Sequence, residues 1–155
     1  MNAYTLCFIH TNDEVLLLNR NRKPWKGMWN GVGGKIKKGE NDNECMIREI
    51  FEETGLEVDN PRYNGYITWT RNNEDKESIA IYTQLYSDER NWKIKETDEG
   101  ILAWKKIEWV YENDNIGVIN NIKDFLSFII GSEQKYHFHY DYIENEIVAS
   151  SKEII

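Results

Sequence analysis

The most constraining feature of this sequence is a glycine-dense segment that leads directly into a glutamate-rich helix. Five of the ten glycines lie between residues 27 and 39. Such density indicates backbone with unusual dihedral angles, or backbone that approaches another group closely. A helix is predicted over residues 42–54, because Asn41 and Glu44 form a capping-box pattern at its start and Gly55 is a natural stop. A sharply turning loop therefore feeds straight into this helix.

The predicted helix has an apolar side and an acidic side at about 100° per residue. The apolar side, which is suited to packing on a sheet, carries three large side chains, Ile47, Ile50 and Phe51. The opposite side carries three carboxylates, Glu49, Glu52 and Glu53. Like charges four residues apart repel, and Glu40 closely precedes the helix. A solvated acidic surface is one interpretation, but carboxylates clustered around one point favour a bound cation.

Residues 34–56, GKIKKGENDNECMIREIFEETGL, resemble a complete Nudix box. The family pattern is Gly, five residues, Glu, seven residues, Arg-Glu, an aliphatic residue, any residue, Glu-Glu, any residue, Gly and an aliphatic residue. Every fixed position is filled, by Gly34, Glu40, Arg48, Glu49, Ile50, Glu52, Glu53, Gly55 and Leu56. The flanking segments MWNGVGGK and DEGILAWKKI resemble 8-oxo-dGTP diphosphatases of the MutT-like branch. With the C-terminal segment, the resemblance spans nearly the whole chain.

The resemblance implies an α/β fold over residues 1–155 as a single domain. In this fold a mixed β-sheet lies between helices, and a C-terminal β-hairpin extends it. Residue patterns predict strands near 3–10, 15–20, 63–70, 78–86 and 101–107, and a second helix over 119–130. A polar turn is predicted over 71–77, and residues 135–150 alternate like a closing hairpin.

The resemblance also implies a divalent-metal site. The implied ligands are three carboxylates and one backbone carbonyl, those of Glu49, Glu52, Glu53 and Gly33. Oxygen ligands alone favour Mg²⁺, with Mn²⁺ as a substitute, whereas Zn²⁺ prefers closely spaced His or Cys. Arg48 is expected to pair with one of these carboxylates and orient it. Glu40 is expected to brace the loop near the metals without binding them.

Glu99, in the segment ETDEGILAW, is the candidate outside the box. In the family, a glutamate preceding this strand reaches the metal site, so Glu99 is a candidate metal ligand and general base. Asp98 is the neighbouring alternative, and an ordinary acidic loop is the other interpretation. Either Glu49 or Glu99 would take the proton of the attacking water, and the sequence leaves both open.

Substrate contacts are expected from side chains on both flanks of the box. Arg20 matches a position where relatives carry an arginine facing the phosphates, and Lys35 is a second candidate. Asn30 offers a donor and an acceptor together, which suits a purine edge. Many relatives carry a Trp and an acidic residue before the last helix. Here the stretch is NDNIGVINNI, so Asn120 or Asn121 is expected to supply an amide instead.

Charge and composition limit the classes of partner that this protein is expected to bind. Nineteen Lys and Arg against 27 Asp and Glu give a formal net charge of −8. Proteins that grip nucleic-acid backbones need a basic face, so we expect a small nucleotide substrate and no long nucleic acid. The apolar run FLSFII has six residues, against the roughly 20 of a membrane span. Two cysteines and no signal peptide indicate a cytoplasmic protein, acting as a monomer or homodimer.

The resemblance implies a Mg²⁺-dependent nucleoside triphosphate pyrophosphohydrolase. It would convert 8-oxo-dGTP to the monophosphate and pyrophosphate, and so protect DNA from mutation. A same-class alternative is hydrolysis of a dinucleoside polyphosphate, ADP-ribose or an RNA 5′ end. A different-class alternative is a nucleotide-binding module without catalysis. The intact carboxylate set argues against the last alternative, because clustered carboxylates are costly to keep without a cation.

Overall fold

A computed structural model describes residues 2–87 and 92–155. The described residues form eleven strands: β1 Tyr4–His10, β2 Glu14–Arg20, β3 Trp29–Asn30, β4 Val32–Lys35, β5 Arg62–Arg71, β6 Glu74–Asp75, β7 Ile79–Leu85, β8 Ile94–Thr97, β9 Gly100–Lys106, β10 Tyr136–Ile143 and β11 Glu146–Ile154. They also form three helices: α1 Asp42–Thr54, α2 Ile107–Val110 and α3 Asn120–Ile129. Within these ranges, no helix has both the length and the apolarity needed to cross a bilayer.

The strands build one mixed sheet in the order β11-β10-β5-β7-β1-β2-β9-β8. Strand β1 runs parallel to β7, and β5 runs parallel to β10, whereas the other neighbours along this path are antiparallel. The short strands β3, β4 and β6 pair with β2, β1 and β5 respectively. The C-terminal hairpin β10–β11 therefore widens the sheet on one side, as predicted.

Two apolar cores cover the two faces of the sheet, because successive side chains of a strand point to opposite faces. One core joins strand residues such as Phe8 and Leu17 to Phe125 of α3. The other core joins Ile9 and other strand residues to Ile50 of α1. Helices thus flank a mixed sheet on both sides, and the predicted fold class is confirmed.

The predicted strands and helices are present with small shifts of their ends, and the elements that were not predicted are short. The predicted polar turn over 71–77 contains β6. Strand β8 and helix α2 were not predicted, because each has only four residues. Helix α1 is rotated from the predicted docking: Phe51 is 53% exposed, whereas Glu53 is only 9% exposed. Its buried side runs through Cys45, Met46 and Ile50 to Glu53 and Thr54.

Close backbone contacts set the position of α1. A Cβ atom on Gly33 would overlap the backbone carbonyl of Thr5, so the approach of β4 to β1 requires glycine there. The chain then enters α1 through the predicted capping box. The Asn41 side chain accepts from the Glu44 N–H at 2.8 Å, and the Asn41 N–H donates to the Glu44 carboxylate at 3.0 Å. These contacts fix the carboxylates of α1 beside the glycines of β4.

Candidate active site

A cavity of about 290 Å³ opens between the sheet and its connecting loops. Five of the predicted site residues line it together: Arg20, Asn30, Gly33, Glu53 and Glu99. These residues come from β2, β3, β4, α1 and the turn before β9. The sheet and helix packing therefore brings residues that are far apart in sequence to one site.

Arg48 forms hydrogen bonds with several carboxylates of this site. Its Nε and Nη2 donate to the two carboxylate oxygens of Glu40, at 3.0 and 2.5 Å. Its Nη1 donates to Glu49 at 2.9 Å and to Glu52 at 3.2 Å. Bidentate, charge-assisted hydrogen bonds of this kind are the strong ones. Arg48 therefore orients two predicted metal ligands and ties them to the loop before α1.

Glu40 braces that loop. Hydrogen bonds from the Arg48 side chain and from the Lys37 backbone N–H, the latter at 2.7 Å, lower the pKa of Glu40 to about 2. The carboxylate is thus ionised at any physiological pH and holds Arg48 in place. Glu40 thus supports the loop through Arg48, and its lack of a direct role in metal binding stays a prediction.

Glu53 is the buried carboxylate of the site. Its Oε2 is buried and has no hydrogen-bond partner in the described part of the chain. Burial first, and then the charges of Glu49 and Glu99, raise the pKa of Glu53 to about 9. A buried carboxylate beside like charges is costly unless a cation neutralises it. The unpaired oxygen and the all-oxygen donor set fit Mg²⁺ or Mn²⁺.

A divalent cation at this site would compete with Arg48 for the remaining carboxylates. Across residues 2–87 and 92–155, no three His, Cys, Asp or Glu side chains converge on one point. The reason is that Arg48 holds Glu49 and Glu52, while Glu53 alone turns an unpaired oxygen inward. A cation would therefore be held by Glu53 together with Glu49 and Glu52, once these share their oxygens with it.

Gly34 makes room for the Glu49 carboxylate. A Cβ atom at this position would overlap both carboxylate oxygens of Glu49. The Glu49 side chain is only 14% exposed, so it has little space to move aside. The absence of a side chain at Gly34 is therefore part of the site.

Glu99 faces the cavity, whereas its neighbour Asp98 does not line it. The Glu99 N–H donates to the Thr97 hydroxyl at 3.2 Å, and one carboxylate oxygen lies 3.9 Å from Arg22 Nη2. Asp98 is exposed, and its backbone carbonyl accepts from the Asn21 side chain at 3.0 Å. Between the two acids, position in the turn favours Glu99 as the functional one.

The three predicted substrate-binding residues differ in whether their polar side-chain atoms remain available to a substrate. Asn30 Oδ1 accepts from the Gly31 N–H at 2.8 Å, which leaves its amino group for a ligand. Arg20 Nε donates to the Pro24 carbonyl at 2.8 Å, which leaves its two terminal amino groups. Lys35 is exposed and lies outside the cavity lining. The Lys35 side chain thus lies outside the cavity, although its backbone carbonyl accepts from Arg48 at 3.3 Å.

Of the two asparagines near the start of α3, Asn121 lines the cavity and Asn120 does not, and a contact of either with a substrate stays a prediction. Asn120 Nδ2 donates to the Asn145 carbonyl at 2.9 Å, and its Oδ1 accepts from the Tyr142 hydroxyl at 3.0 Å. Asn120 therefore anchors α3 to the hairpin β10–β11. Asn121, the other alternative, lines the cavity.

The sequence patterns missed an aromatic wall of the cavity, formed by Trp25, Trp69 and Tyr142. Trp69 shares one face of β5 with buried Ile67, which is a detectable period-two signal. The contribution of Tyr142 depends on the parallel pairing of β10 with β5, which no local pattern reveals.

Gly34→Ala is predicted to weaken divalent-cation binding, because the new methyl group displaces the Glu49 carboxylate. We expect the Kd for Mn²⁺ to rise by about tenfold or more, as for other changes beside metal ligands. Titration calorimetry measures this Kd. The control is Gly117→Ala, whose Cβ would lie at an ordinary 3.5 Å from Asn115 Oδ1. Equal Mn²⁺ affinity of the two variants would refute the role of Gly34.

The raised pKa of Glu53 predicts how pH affects the stability of the metal-free protein. The folded-state pKa of about 9 exceeds the ordinary value of 4.5, so the folded state binds the proton more tightly. The associated stability is full below the ordinary pKa and is lost as pH rises toward the folded value. Glu53→Gln cannot ionise, so its advantage over the natural protein should grow from about pH 5 to about pH 8. Urea unfolding in EDTA measures this difference, and a constant difference would contradict the prediction.

Comparison with known proteins agrees with this geometry. The model of the NUDIX domain family matches residues 2–125. The Nudix hydrolase YvcI of Bacillus subtilis is 32% identical over 109 residues, which are 69% of this chain and 67% of that protein. The oxidized purine nucleoside triphosphate hydrolase of Mus musculus is 39% identical over 66 residues, 43% of this chain and 42% of that enzyme. The chain thus matches less than half of the mouse relative's length.

A solved structure extends the similarity to the whole chain. The crystal structure of the mutator protein MutT from Bacillus halodurans has a TM-score of 0.77 and 26% sequence identity. The alignment covers 99% of this chain and 98% of that protein. It therefore includes the C-terminal hairpin as well as the matched domain. With the complete box, the carboxylates of α1 beside the glycines of β4 and the family match, this chain belongs to the Nudix hydrolase family.

Proposed function

We propose that this protein is a Mg²⁺-dependent nucleoside triphosphate pyrophosphohydrolase whose preferred substrate is an oxidised purine nucleotide such as 8-oxo-dGTP. The observation that carries this proposal is one cavity lined by two different sets of groups. One set is the buried carboxylate Glu53 with its unpaired oxygen, and the other is an aromatic wall and two asparagine amides. The first set suits a metal-bound polyphosphate, and the second suits a flat polar base.

Glu53, Glu49 and Glu52 would hold the metal, together with the backbone of Gly33. When bound, Mg²⁺ or Mn²⁺ would neutralise phosphate charge and lower the pKa of a coordinated water. Arg48 keeps the Glu49 and Glu52 carboxylates oriented, and Glu40 keeps Arg48 in place. Phosphoryl transfer depends mostly on such positioning and charge compensation.

Glu99 is the general base that we favour over Glu49. One oxygen of Glu49 accepts a hydrogen bond from Arg48 at 2.9 Å, whereas the contact of Glu99 with Arg22 is longer, at 3.9 Å. Glu99 also lines the cavity, where the attacking water must be. Its carboxylate would accept the proton of that water as the phosphoanhydride bond is attacked. The terminal amino groups of Arg20 are placed to meet the phosphates.

The base would lie against the aromatic wall, with Asn30 and Asn121 at its polar edge. Oxidation of guanine at C8 turns N7 from an acceptor into an N–H donor, beside the O6 acceptor. An asparagine amide carries one acceptor and two donors and so matches this edge. The similarity to the mouse hydrolase of oxidised purine nucleotides supports the same substrate class. Hydrolysis of such nucleotides would remove mutagenic precursors before they enter DNA.

A nucleotide panel tests the proposal against its alternatives. The panel contains 8-oxo-dGTP, dGTP, ADP-ribose, a dinucleoside tetraphosphate and a capped RNA, each with Mg²⁺ and with EDTA. We expect the highest kcat/KM for 8-oxo-dGTP, release of pyrophosphate, and no turnover in EDTA. A higher kcat/KM for another member would replace the substrate while keeping the family chemistry. Binding without turnover of any member would make the protein a nucleotide-binding module.

Glu53→Gln is predicted to lower activity strongly while leaving the fold intact. The substitution removes one negative charge at nearly constant volume and helix propensity. We expect kcat/KM to fall about a hundredfold or more, equivalent to ~3 kcal/mol of transition-state stabilisation. Part of the loss should return at higher Mg²⁺, because mass action offsets weaker coordination. Steady-state pyrophosphate release over a Mg²⁺ series measures both effects.

Glu44→Gln is the matched control on the same helix. Glu44 is exposed, and its carboxylate oxygen accepts the Asn41 N–H hydrogen bond of the capping box. A glutamine retains that acceptor oxygen, so the cap and the activity should both persist. If both substitutions had the same effect on activity, Glu53 would not be a metal ligand.

A further inference from the structure

The aromatic wall of the cavity is organised around a cation that is not itself part of the lining. Arg71 ends strand β5, and its Cζ lies 5.5 Å from the ring centroid of Trp25 and 5.5 Å from that of Trp69. Tyr142 pairs with Arg71 in the β5–β10 ladder. Its ring centroid is 6.1 Å from each of the two tryptophan rings. Two rings of the cavity therefore contact one guanidinium group, and the Tyr142 ring packs against both of them.

The attraction between this guanidinium and the rings is strengthened by partial removal from water. Arg71 Nε is buried and makes no hydrogen bond to any residue that the structure describes. A buried polar group without a partner is costly, and the negative face of an indole ring supplies part of the missing interaction. Such cation–π contacts gain strength as they are desolvated. Arg71 is therefore held by the two tryptophans, and it holds them in return.

Trp25 needs this support because its backbone is strained. Its φ angle of +64° lies in the left-handed region, which bulky residues rarely adopt. The other residues of the loop from 21 to 27 are exposed. The contacts of the Trp25 ring with Arg71 and Tyr142 thus tie an otherwise exposed loop to the sheet. Without the cation, the Trp25 ring would lose one of the contacts that hold it in the wall.

We propose that Arg71 is a positioning residue for nucleobase recognition: it holds Trp25 and Trp69 as a preformed stacking surface for an aromatic base. This inference rests on the proposed function, since it takes a nucleotide as the substrate. The proposed metal ligands and phosphate contacts are other residues. Arg71 therefore acts on the binding of the base and not on bond cleavage. It therefore sets KM and leaves kcat nearly unchanged.

The test compares Arg71→Met, which keeps the apolar stem but removes the charge, with Arg71→Lys, which restores a cation. We expect Arg71→Met to raise KM for the preferred nucleotide by about fivefold to thirtyfold and to change kcat by less than about twofold. Arg71→Lys should recover part of the lost affinity. Inorganic triphosphate has no base, so its KM should be the same in all variants.

Lys152→Ala is the matched control, because Lys152 Nζ lies 3.3 Å from the Phe128 ring centroid in a cation–π contact whose residues do not line the cavity. It should leave both kinetic constants unchanged. An unchanged KM in Arg71→Met, or an equal rise for inorganic triphosphate, would overturn the proposal. So would a fall in kcat alone, or failure of lysine to restore affinity.

A binding measurement keeps this test separate from the proposed function. Quenching of tryptophan fluorescence by 8-oxo-dGMP, in the presence of EDTA, reports base binding without turnover. We expect a weaker apparent affinity in Arg71→Met and recovery in Arg71→Lys. If the natural protein cleaves no nucleotide, the proposed function fails, but this titration still decides the role of Arg71. Equal affinity of the natural protein and Arg71→Met would overturn that role.

Discussion

The site depends on how one guanidinium group shares its charge among several carboxylates. Arg48 forms a bidentate pair with Glu40 and single hydrogen bonds with Glu49 and Glu52. One positive charge cannot balance three negative charges, and Glu53 adds a fourth carboxylate that Arg48 does not reach in any recorded contact. The electrostatic cost is greatest at Glu53, where burial and like charge raise the pKa to about 9 and favour the protonated carboxyl. A divalent cation bound there would stabilise the ionised carboxylate instead.

Backbone packing makes this concentration of charge feasible. Gly33 allows β4 to pair tightly with β1, and Gly34 leaves the space that the Glu49 carboxylate occupies. The capping box then sets the start of α1 relative to this strand. Because these contacts are close, small changes in volume are transmitted directly to the carboxylates. The glycines and the glutamates therefore function as one structural unit.

Local sequence patterns predicted this unit of glycines and glutamates. The rest of the site depends on pairing between strands that are distant in the sequence. The helical wheel gives the angles between Glu53 and Phe51 but not which of them faces the sheet, and the exposed residue is Phe51. Asn120 and Asn121 are adjacent and chemically identical, so only the contacts of Asn120 with the hairpin distinguish them. The neighbourhood of Arg71 arises from a register between strands that are separated by more than sixty residues. Such a register depends on the whole sheet and has no local signal.

One wall of the cavity draws a residue from outside the region that the family model matches, and this has a consequence for the proposed specificity. The carboxylates, the glycines and most other lining residues lie within residues 2–125, the region matched by the family model. Tyr142 and the Asn145 carbonyl that holds Asn120 come from the C-terminal hairpin beyond it. The hydrogen-bond partners of Arg48 in the described part of the chain all lie outside this hairpin. Under the proposed function, substitutions in the hairpin would therefore alter which base is accepted while the charge balance around Arg48 stays intact.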